Sequence, residues 1–253
     1  MNLNLTNKIF LVTGGDKGIG RGIVKALAVE NAIPVIIGKS EIDNKKALET
    51  IDNKGFQLVA DISKPEECRN AIKKIIERYN CIDGLVNNEG INDAVDLENG
   101  NYENYISTLR RNLVQCYLVA HYAVPYLKLS KGAIVNIGSK TVETGQVNTS
   151  GYSESNGGRN GLTREWAVEL LDYRIRVNAV IVAKCYTHMH NKRTEIFENS
   201  GEKLKSITDQ IPLEQRMAKI EEIAAMVVFL LSERSGHTTG QIIHVDGGSI
   251  YQD

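Results

Sequence analysis

Short runs of apolar residues alternate along the chain with longer segments in which apolar residues recur every three or four positions. The short runs are typical of buried strands, and the longer spacing is typical of helices that cover one face of a core. The pattern predicts strands at residues 9–13, 34–38, 57–60, 84–87, 133–138, 176–182 and 241–245. It predicts helices at residues 19–30, 41–53, 65–79, 102–127 and 220–231, with 161–171 inside a further long helix.

Strand and helix follow each other in regular alternation, which indicates right-handed crossover connections and a parallel sheet. A parallel sheet of this kind is covered by helices on both faces. No repeat, low-complexity segment or linker divides the 253 residues. We therefore predict an α/β fold, a single-domain doubly wound parallel sheet of about seven strands, over residues 1–253.

One polar stretch interrupts this pattern late in the chain, at residues 187–210. In a doubly wound sheet the ligand lies in the crevice at the carboxyl ends of the strands. An insertion near that edge is placed to cover a substrate, so we predict a substrate lid here. The alternative is a surface helical hairpin without a role in binding.

Composition narrows the classes of function. The net charge is -1 and charged residues make up 24% of the chain, so no broad attraction to nucleic acid or anionic membrane is expected. No apolar run reaches the roughly 20 residues of a membrane helix, and the first residues do not resemble a secretory signal. We expect a cytoplasmic protein that binds neither nucleic acid nor membrane.

Metal-binding patterns are weak in this sequence. The four cysteines lie far apart without metal-ligand spacing, so we expect reduced thiols. His188 and His190 have no acidic or cysteine partner at motif spacing. We therefore expect no metal site.

A glycine-rich turn joins the first predicted strand to the first predicted helix, with the sequence Thr-Gly-Gly-Asp-Lys-Gly-Ile-Gly at residues 13–20. Glycines allow a tight turn and close approach of the backbone to a pyrophosphate, which the N-terminus of the helix then attracts. The turn predicts a dinucleotide site. Its candidate residues are Gly14, Asp16, Lys17, Gly18, Ile19 and Gly20.

The end of the second predicted strand bears on the choice of cofactor. An acidic residue there would bind the ribose hydroxyls of NAD, but this chain has Gly38-Lys39-Ser40. Lys39 and Lys17 together would meet the 2′-phosphate of NADP. The cofactor is therefore NADP or NAD, with NADP favoured; the alternative is that both lysines are solvated surface charges.

Further motifs follow in a fixed order, and with them the chain resembles the short-chain dehydrogenase/reductase family over essentially its whole length. The family has a Rossmann-like fold. The matching residues after the glycine turn are Asp61 and Ile62, Asn87 to Gly90, Asn112, Ser139, Tyr152, Val177 to Val180, and Val245 to Gly248.

The resemblance implies a role for each matching position. Tyr152 would exchange a proton with the substrate oxygen, Ser139 would hold that oxygen, and Asn112 would anchor a water in a proton relay. The glycine turn would surround the pyrophosphate. Around the rest of the cofactor the implied contacts are Asp61 and Ile62 at the adenine, Asn88 and Gly90 along the adenosine, and Thr187 near the carboxamide.

Asn156 departs from the family pattern. Its position, four residues after Tyr152, holds a lysine in the family, and one helical turn places the two on the same face. An ammonium there favours the phenolate form of a tyrosine, whose ordinary pKa is about 10. Asparagine is neutral and lacks this effect, although its amide can still bind the nicotinamide ribose. We therefore assign Asn156 to both the catalytic and the cofactor-binding sets.

Two interpretations follow from Asn156. One is an NAD(P)-dependent oxidoreductase with impaired or unusual activity; the other is a catalytically impaired dinucleotide-binding homologue. Glu89, Lys184 and Lys140 also stand near the expected site. Either lysine can be considered as a substitute cation, and Lys184 can instead pair with Glu89. Lys184 and Glu89 can equally be drift in a site no longer selected for turnover.

Within the family, residues 162–171 and 237–240 resemble L-fucose dehydrogenases and related sugar dehydrogenases. This implies a secondary alcohol or ketone substrate, such as L-fucose, and hydride transfer to or from the cofactor. The resemblance also implies a homo-oligomer, a dimer or tetramer, in which the long central helices pair across a two-fold axis.

Overall fold

In the computed structural model, residues 1–186 and 200–251 are described. The strands in these ranges pair in parallel and form one seven-stranded sheet in the order β3-β2-β1-β4-β5-β6-β7. This confirms the predicted α/β fold with a doubly wound parallel sheet. The strands are β1 (Ile9–Thr13), β2 (Ile33–Gly38), β3 (Phe56–Val59), β4 (Gly84–Asn87), β5 (Ala133–Ser139), β6 (Arg176–Val182) and β7 (Ile242–Val245).

The helices follow the predicted pattern with three differences. They are α1 (Gly18–Val29), α2 (Glu41–Glu49), α3 (Pro65–Tyr79), α4 (Tyr102–Leu109), α5 (Gln115–Ser130), α6 (Thr141–Thr144), α7 (Ser150–Glu169), α8 (Ser200–Thr208) and α9 (Ile220–Leu231). α2 ends four residues early because Asp52 and Asn53 adopt positive φ angles. The predicted helix at 102–127 is α4 and α5 joined by a π-helical turn, Arg110–Val114. α6 was not predicted.

The sheet has a packed core on each face, as the alternation of side chains along a strand requires. On β1, Phe10 and Val12 pack in the cluster that includes residues of α1 and α9. Ile9 and Leu11 pack in the other cluster, with residues of α3, α5 and α7. None of the described helices combines the length and apolar character that a bilayer crossing requires.

The order of the strands reverses between β1 and β4, because β2 and β3 lie on one side of β1 and β5 to β7 lie beyond β4. The loops that leave β1 and β4 therefore diverge to opposite sides and leave a crevice at the carboxyl ends of these strands. Thr13 and Asn87 end the two strands at this crevice.

The contact between α1 and α9 gives a first prediction, at Gly22. A Cβ atom on Gly22 would lie 1.9 Å from Cγ2 of Ile220 at the start of α9. We expect Gly22→Ala to lower the free energy of unfolding by about 1–2 kcal/mol, since overpacking of about 1–3 kcal/mol exceeds the gain in helix propensity. Urea unfolding measures this, with the exposed Lys25→Ala in the same helix as control. Unchanged stability of Gly22→Ala would contradict this packing.

Candidate active site

The loops after β1 and β4 are fastened to each other at the crevice. The hydroxyl of Thr13 accepts hydrogen bonds from the backbone N–H groups of Asn88 and Glu89, both at 3.0 Å. The side-chain nitrogen of Asn88 donates to the carbonyl oxygens of Thr13 and Gly14, at 2.9 and 3.1 Å. The structure therefore brings the predicted residues Gly14 and Asn88 together.

The glycine turn has the shape that a bound pyrophosphate needs. Gly14 and Gly18 adopt the left-handed region, with φ angles of +61° and +50°. A Cβ atom on Gly20 would lie 2.1 Å from the carbonyl oxygen of Gly14. α1 begins at Gly18 without a side-chain cap from Lys17, so the first N–H groups of the helix are available to an anion. These features fit a dinucleotide pyrophosphate.

The two lysines beside this turn are paired with carboxylates. The Lys39 ammonium lies 3.0 Å from Asp61 Oδ1, and the Lys17 ammonium lies 2.6 Å from Asp43 Oδ2 and 3.8 Å from Asp16 Oδ2. The hydrogen bond from Lys17 lowers the pKa of Asp43. Both lysines therefore lie in ion pairs, and the NADP preference stays a prediction. Asp43 was missed by the sequence analysis.

Glu89 brings a further carboxyl group to the same region. Its Oε2 atom is buried and has no hydrogen-bond partner among the described residues. The pKa of Glu89 is raised to about 7, mainly by burial; the charge of Lys39 acts against this rise, Asp16 and Asp61 contribute to it, and Arg159 acts against it. A carboxyl group with this pKa changes charge near neutral pH, which makes it a candidate for a functional role.

Asn112 lies in the π-helical turn Arg110–Val114 and fastens the loop that follows β4. Its side-chain nitrogen donates to the carbonyl oxygens of Ile91 and Thr108, both at 3.0 Å. Its side-chain oxygen accepts from the N–H of Ile91 at 2.8 Å and would lie 2.9 Å from a Cβ atom on Gly90. π-helical turns occur frequently at functional sites, and the catalytic role of Asn112 stays a prediction.

Arg159 is the principal residue that the sequence analysis missed. It lies on α7, is only 3% exposed, and donates to three carbonyl oxygens on three different segments. These are Asn112 at 2.7 Å, Ile137 of β5 at 2.7 Å and Glu89 at 2.5 Å. The carbonyl oxygen of Asn112 therefore accepts a hydrogen bond from the Arg159 guanidinium. Asn112 is the residue for which the resemblance implies a bound relay water.

The other three predicted catalytic side chains lie at the end of β5 and in the first two turns of α7. Ser139 is 8% exposed, and its hydroxyl accepts from the Thr141 hydroxyl at 3.1 Å. Tyr152 is half-buried in the first turn of α7. Asn156 is 2% exposed, and its side-chain nitrogen donates to the carbonyl oxygen of Tyr152 at 2.8 Å. One N–H of this amide is therefore used within the helix, and the ribose contact of Asn156 stays a prediction.

A chain of buried polar side chains holds α7 against the sheet. The Asn87 side-chain nitrogen donates to Asn136 Oδ1 at 2.8 Å, and the Asn136 nitrogen donates to the Thr163 hydroxyl at 2.8 Å. This links β4, β5 and α7, the elements that lead to Asn88, Ser139 and Tyr152. The two hydrogen bonds fix how these elements lie against one another, although Asn87 Oδ1 is buried without a partner among the described residues.

The remaining predicted residues have different outcomes. Ile62 is 1% exposed and its side chain belongs to the core. Lys140 directly follows β5 and Lys184 follows β6, so both lie at the carboxyl edge of the sheet, and their role as substitute cations stays a prediction. Thr187 lies outside the described residues. Of the predicted lid, residues 187–199 also lie outside them, and the lid stays a prediction.

Comparison with known proteins identifies the class of molecule. A family model described as enoyl-(acyl carrier protein) reductase matches residues 14–249. The chain is 34% identical over 251 residues to an uncharacterized oxidoreductase of Thermotoga maritima, covering 98% of this chain and 99% of that protein. It is 32% identical over 252 residues to the 3-oxoacyl-[acyl-carrier-protein] reductase FabG of the same organism, covering 98% and 100%.

Sugar dehydrogenases are also among the similar proteins. The L-fucose dehydrogenase of Bos taurus is 29% identical over 250 residues, covering 98% of this chain and 92% of that protein. The crystal structure of Cj0485 dehydrogenase has a TM-score of 0.96 at 38% identity, covering 100% of this chain and 98% of that one. The ligand-free aldohexose dehydrogenase of Thermoplasma acidophilum has a TM-score of 0.90 at 27% identity, with 100% and 98% covered.

The family match, the relatives and the seven-stranded sheet agree with one another and support an enzyme. Nothing in these matches favours the alternative of a homologue that has lost catalysis. The chain belongs to the short-chain dehydrogenase/reductase family of oxidoreductases, which generally use NAD or NADP.

Proposed function

We propose that this enzyme transfers a hydride between a nicotinamide cofactor and a secondary alcohol or ketone of a sugar such as L-fucose. The observation that carries the proposal is the combination of the glycine turn at the strand-order reversal with Ser139 and Tyr152 at the same edge of the sheet. The sugar class is supported by the similarity to an L-fucose dehydrogenase and an aldohexose dehydrogenase.

The bound cofactor would supply or accept the hydride, and the side chains of this chain would manage the proton and the substrate oxygen. Tyr152 exchanges the proton with that oxygen, and Ser139 binds the oxygen through its hydroxyl. Thr141 contacts the Ser139 hydroxyl and so orients it. Asn156 does not provide the cationic charge that favours a phenolate, so turnover is slower than with a lysine at this position.

The residues that would hold the cofactor form a continuous set along the crevice. Gly14, Gly18 and Gly20 would surround the pyrophosphate, with the start of α1 as the anion-binding end. Asp61 and Asn88 would contact the adenosine. Glycines let the backbone approach the cofactor closely, and the turn itself needs glycine at position 20, because a Cβ atom there would lie 2.1 Å from the carbonyl oxygen of Gly14.

A second candidate function is the reduction of a 3-oxoacyl thioester, because several relatives are 3-oxoacyl-[acyl-carrier-protein] reductases, at 32% and 34% identity. Both reactions interconvert a secondary alcohol and a ketone, so the same proton chemistry serves both. The two candidates differ in the substrate: one is a polyhydroxylated ring and the other is an acyl chain.

Replacement of the tyrosine tests the proposed chemistry. We expect wild-type protein to reduce NAD or NADP with L-fucose or an aldohexose, and Tyr152→Phe to lose on the order of 10²–10⁴ in rate while it still binds cofactor. Absorbance of the reduced cofactor measures the rate, and the exposed Tyr102→Phe is the matched control. If Tyr152→Phe keeps the wild-type rate, Tyr152 is not the acid/base.

The same assay separates the two substrate classes. Activity with a sugar and none with a 3-oxoacyl thioester supports the proposal. The reverse result establishes the second candidate, and binding of neither nucleotide at high concentration contradicts both.

Assembly as a homo-oligomer is also proposed, on the family resemblance. It is supported by apolar side chains left in solvent by the single chain, namely Val114 and Tyr117 along α5 and its preceding turn, and Val168 on α7. These exposed side chains lie on the helices that the resemblance places at the two-fold axis.

A further inference from the structure

On the expected adenosine side of the cofactor crevice lies a hydrogen-bond acceptor that no donor in the described part of the chain uses. Oε2 of Glu89 is buried without a partner among the described residues. The Cα and Cβ atoms of Glu89 would each lie 3.2 Å from a Cβ atom on Gly14, which places the start of this side chain against the glycine turn. A buried carboxylate oxygen without a donor is costly unless a ligand supplies one.

The charges around Glu89 are unbalanced toward the negative. Lys39 is paired with Asp61, and Lys17 is paired with Asp43. Asp16 lies 3.8 Å from the Lys17 ammonium, so this ammonium is shared between two carboxylates.

Glu89 therefore adds a carboxyl group to a region in which Lys17 and Lys39 already form ion pairs with other carboxylates. A region of this kind favours hydroxyl donors and disfavours a further phosphate.

We propose that Glu89 determines the nucleotide specificity of this enzyme, by accepting a hydrogen bond from an adenosine ribose hydroxyl of NAD and repelling the 2′-phosphate of NADP. The inference rests on the proposed function only in requiring that a nicotinamide nucleotide binds here. It differs from the NADP preference predicted from the sequence, because it takes into account that Lys39 and Lys17 are paired with Asp61 and Asp43.

The charge on Glu89 makes this specificity depend on pH. Four charged groups on separate elements act on it: Asp16 after β1, Lys39 after β2, Asp61 after β3 and Arg159 on α7. Burial, the largest effect, raises the pKa of Glu89 to about 7. The carboxyl group is therefore mostly neutral at about pH 6 and mostly ionised at about pH 8, and repulsion of the 2′-phosphate grows as pH rises.

Binding measurements test this without reference to turnover. Dissociation constants of NADH and NADPH are measured by nucleotide fluorescence for wild type, Glu89→Gln and Glu89→Ala. The control is Glu49→Gln, which removes the same charge from the exposed end of α2. We expect wild type to bind NADH at least tenfold more tightly than NADPH at about pH 8. We expect Glu89→Gln to reduce this preference by about tenfold, because it removes one unit charge close to the 2′-phosphate.

The pH dependence provides the second measurement. The 2′-phosphate also titrates, but it does so equally with every variant, so the difference between wild type and Glu89→Gln reports Glu89 alone. We expect the ratio of the two constants to change more steeply between about pH 6 and about pH 8 in wild type than in Glu89→Gln.

Each remaining outcome counts against the proposal. The proposal is overturned if Glu89→Gln and Glu89→Ala leave the ratio of the NADH and NADPH dissociation constants unchanged. It is also overturned if both variants bind the two nucleotides more tightly by the same factor, because Glu89 would then obstruct the site without selecting between them. Binding of neither nucleotide to wild type or to any variant overturns the proposed function together with this inference, whereas the first two outcomes leave the proposed function intact.

Discussion

Replacing Asn156 with lysine is expected to raise kcat/KM by on the order of 10²-fold at neutral pH, the lower end of what general acid–base catalysis contributes. A lysine at this position lies one helical turn from Tyr152, on the same face of α7. Its ammonium favours the phenolate, which Asn156 does not do because its amide is neutral. The activity of the variant should also extend to lower pH, since the phenolate persists further into the acid range.

A neutral variant of similar length is the matched control for this gain. Asn156→Gln lengthens the side chain and removes its short hydrogen bond to the Tyr152 carbonyl oxygen, as lysine does, but adds no charge. We expect no gain from it. Equal gains for glutamine and lysine would assign the effect to release of that hydrogen bond, and a folded lysine variant without any gain would show that another group already supplies the charge.

The fold could be predicted from sequence because local pattern and topology agree throughout the sheet. The short apolar runs predicted the ends of each described strand to within two residues. The glycine turn predicted the junction between β1 and α1, which begins at Gly18. The helix predicted at 102–127 includes a π-helical turn around Asn112, which periodicity does not register because a single wide turn leaves the apolar spacing on either side intact.

Only those site residues that belong to a sequence motif could be predicted. Gly14 and Asn88 were identified from their motif positions, and the structure brings them into hydrogen-bond contact. The pairing of Lys39 with Asp61 was not predicted, because the partners come from the ends of different strands and their spacing in sequence carries no local signal. The sequence therefore indicated two available cations where the structure has two ion pairs.

The burial of Arg159 was even harder to predict from the sequence than these ion pairs. An arginine on an amphipathic helix is ordinarily exposed, and nothing around it in the sequence marks it as buried. Its position seven residues after Tyr152 and three after Asn156 does place it on the same helical face as both. That spacing is the one signal from which its direction toward the crevice could have been inferred.

Substitution of Arg159 by leucine is expected to lower the free energy of unfolding by about 3–5 kcal/mol. Leucine fills part of the space but leaves the carbonyl oxygen of Ile137 without this donor, and it removes one donor each from the carbonyl oxygens of Asn112 and Glu89. Unpaired buried polar groups cost about 1–3 kcal/mol each. The Glu89 oxygen keeps its bond from Gln115 at 2.9 Å, so the sum stays below three full penalties.

Urea unfolding of Arg159→Leu, Arg159→Lys and the exposed Arg164→Leu on the same helix measures this cost. Lysine keeps the charge but has one nitrogen, which cannot hold three segments in the planar arrangement of a guanidinium, so an intermediate loss is expected. Arg164→Leu should stay within about 0.5 kcal/mol of wild type. If Arg159→Leu is as stable as Arg164→Leu, the three bonds contribute no net stability, and the π-helical turn, β5 and the loop after β4 are held in place by other contacts.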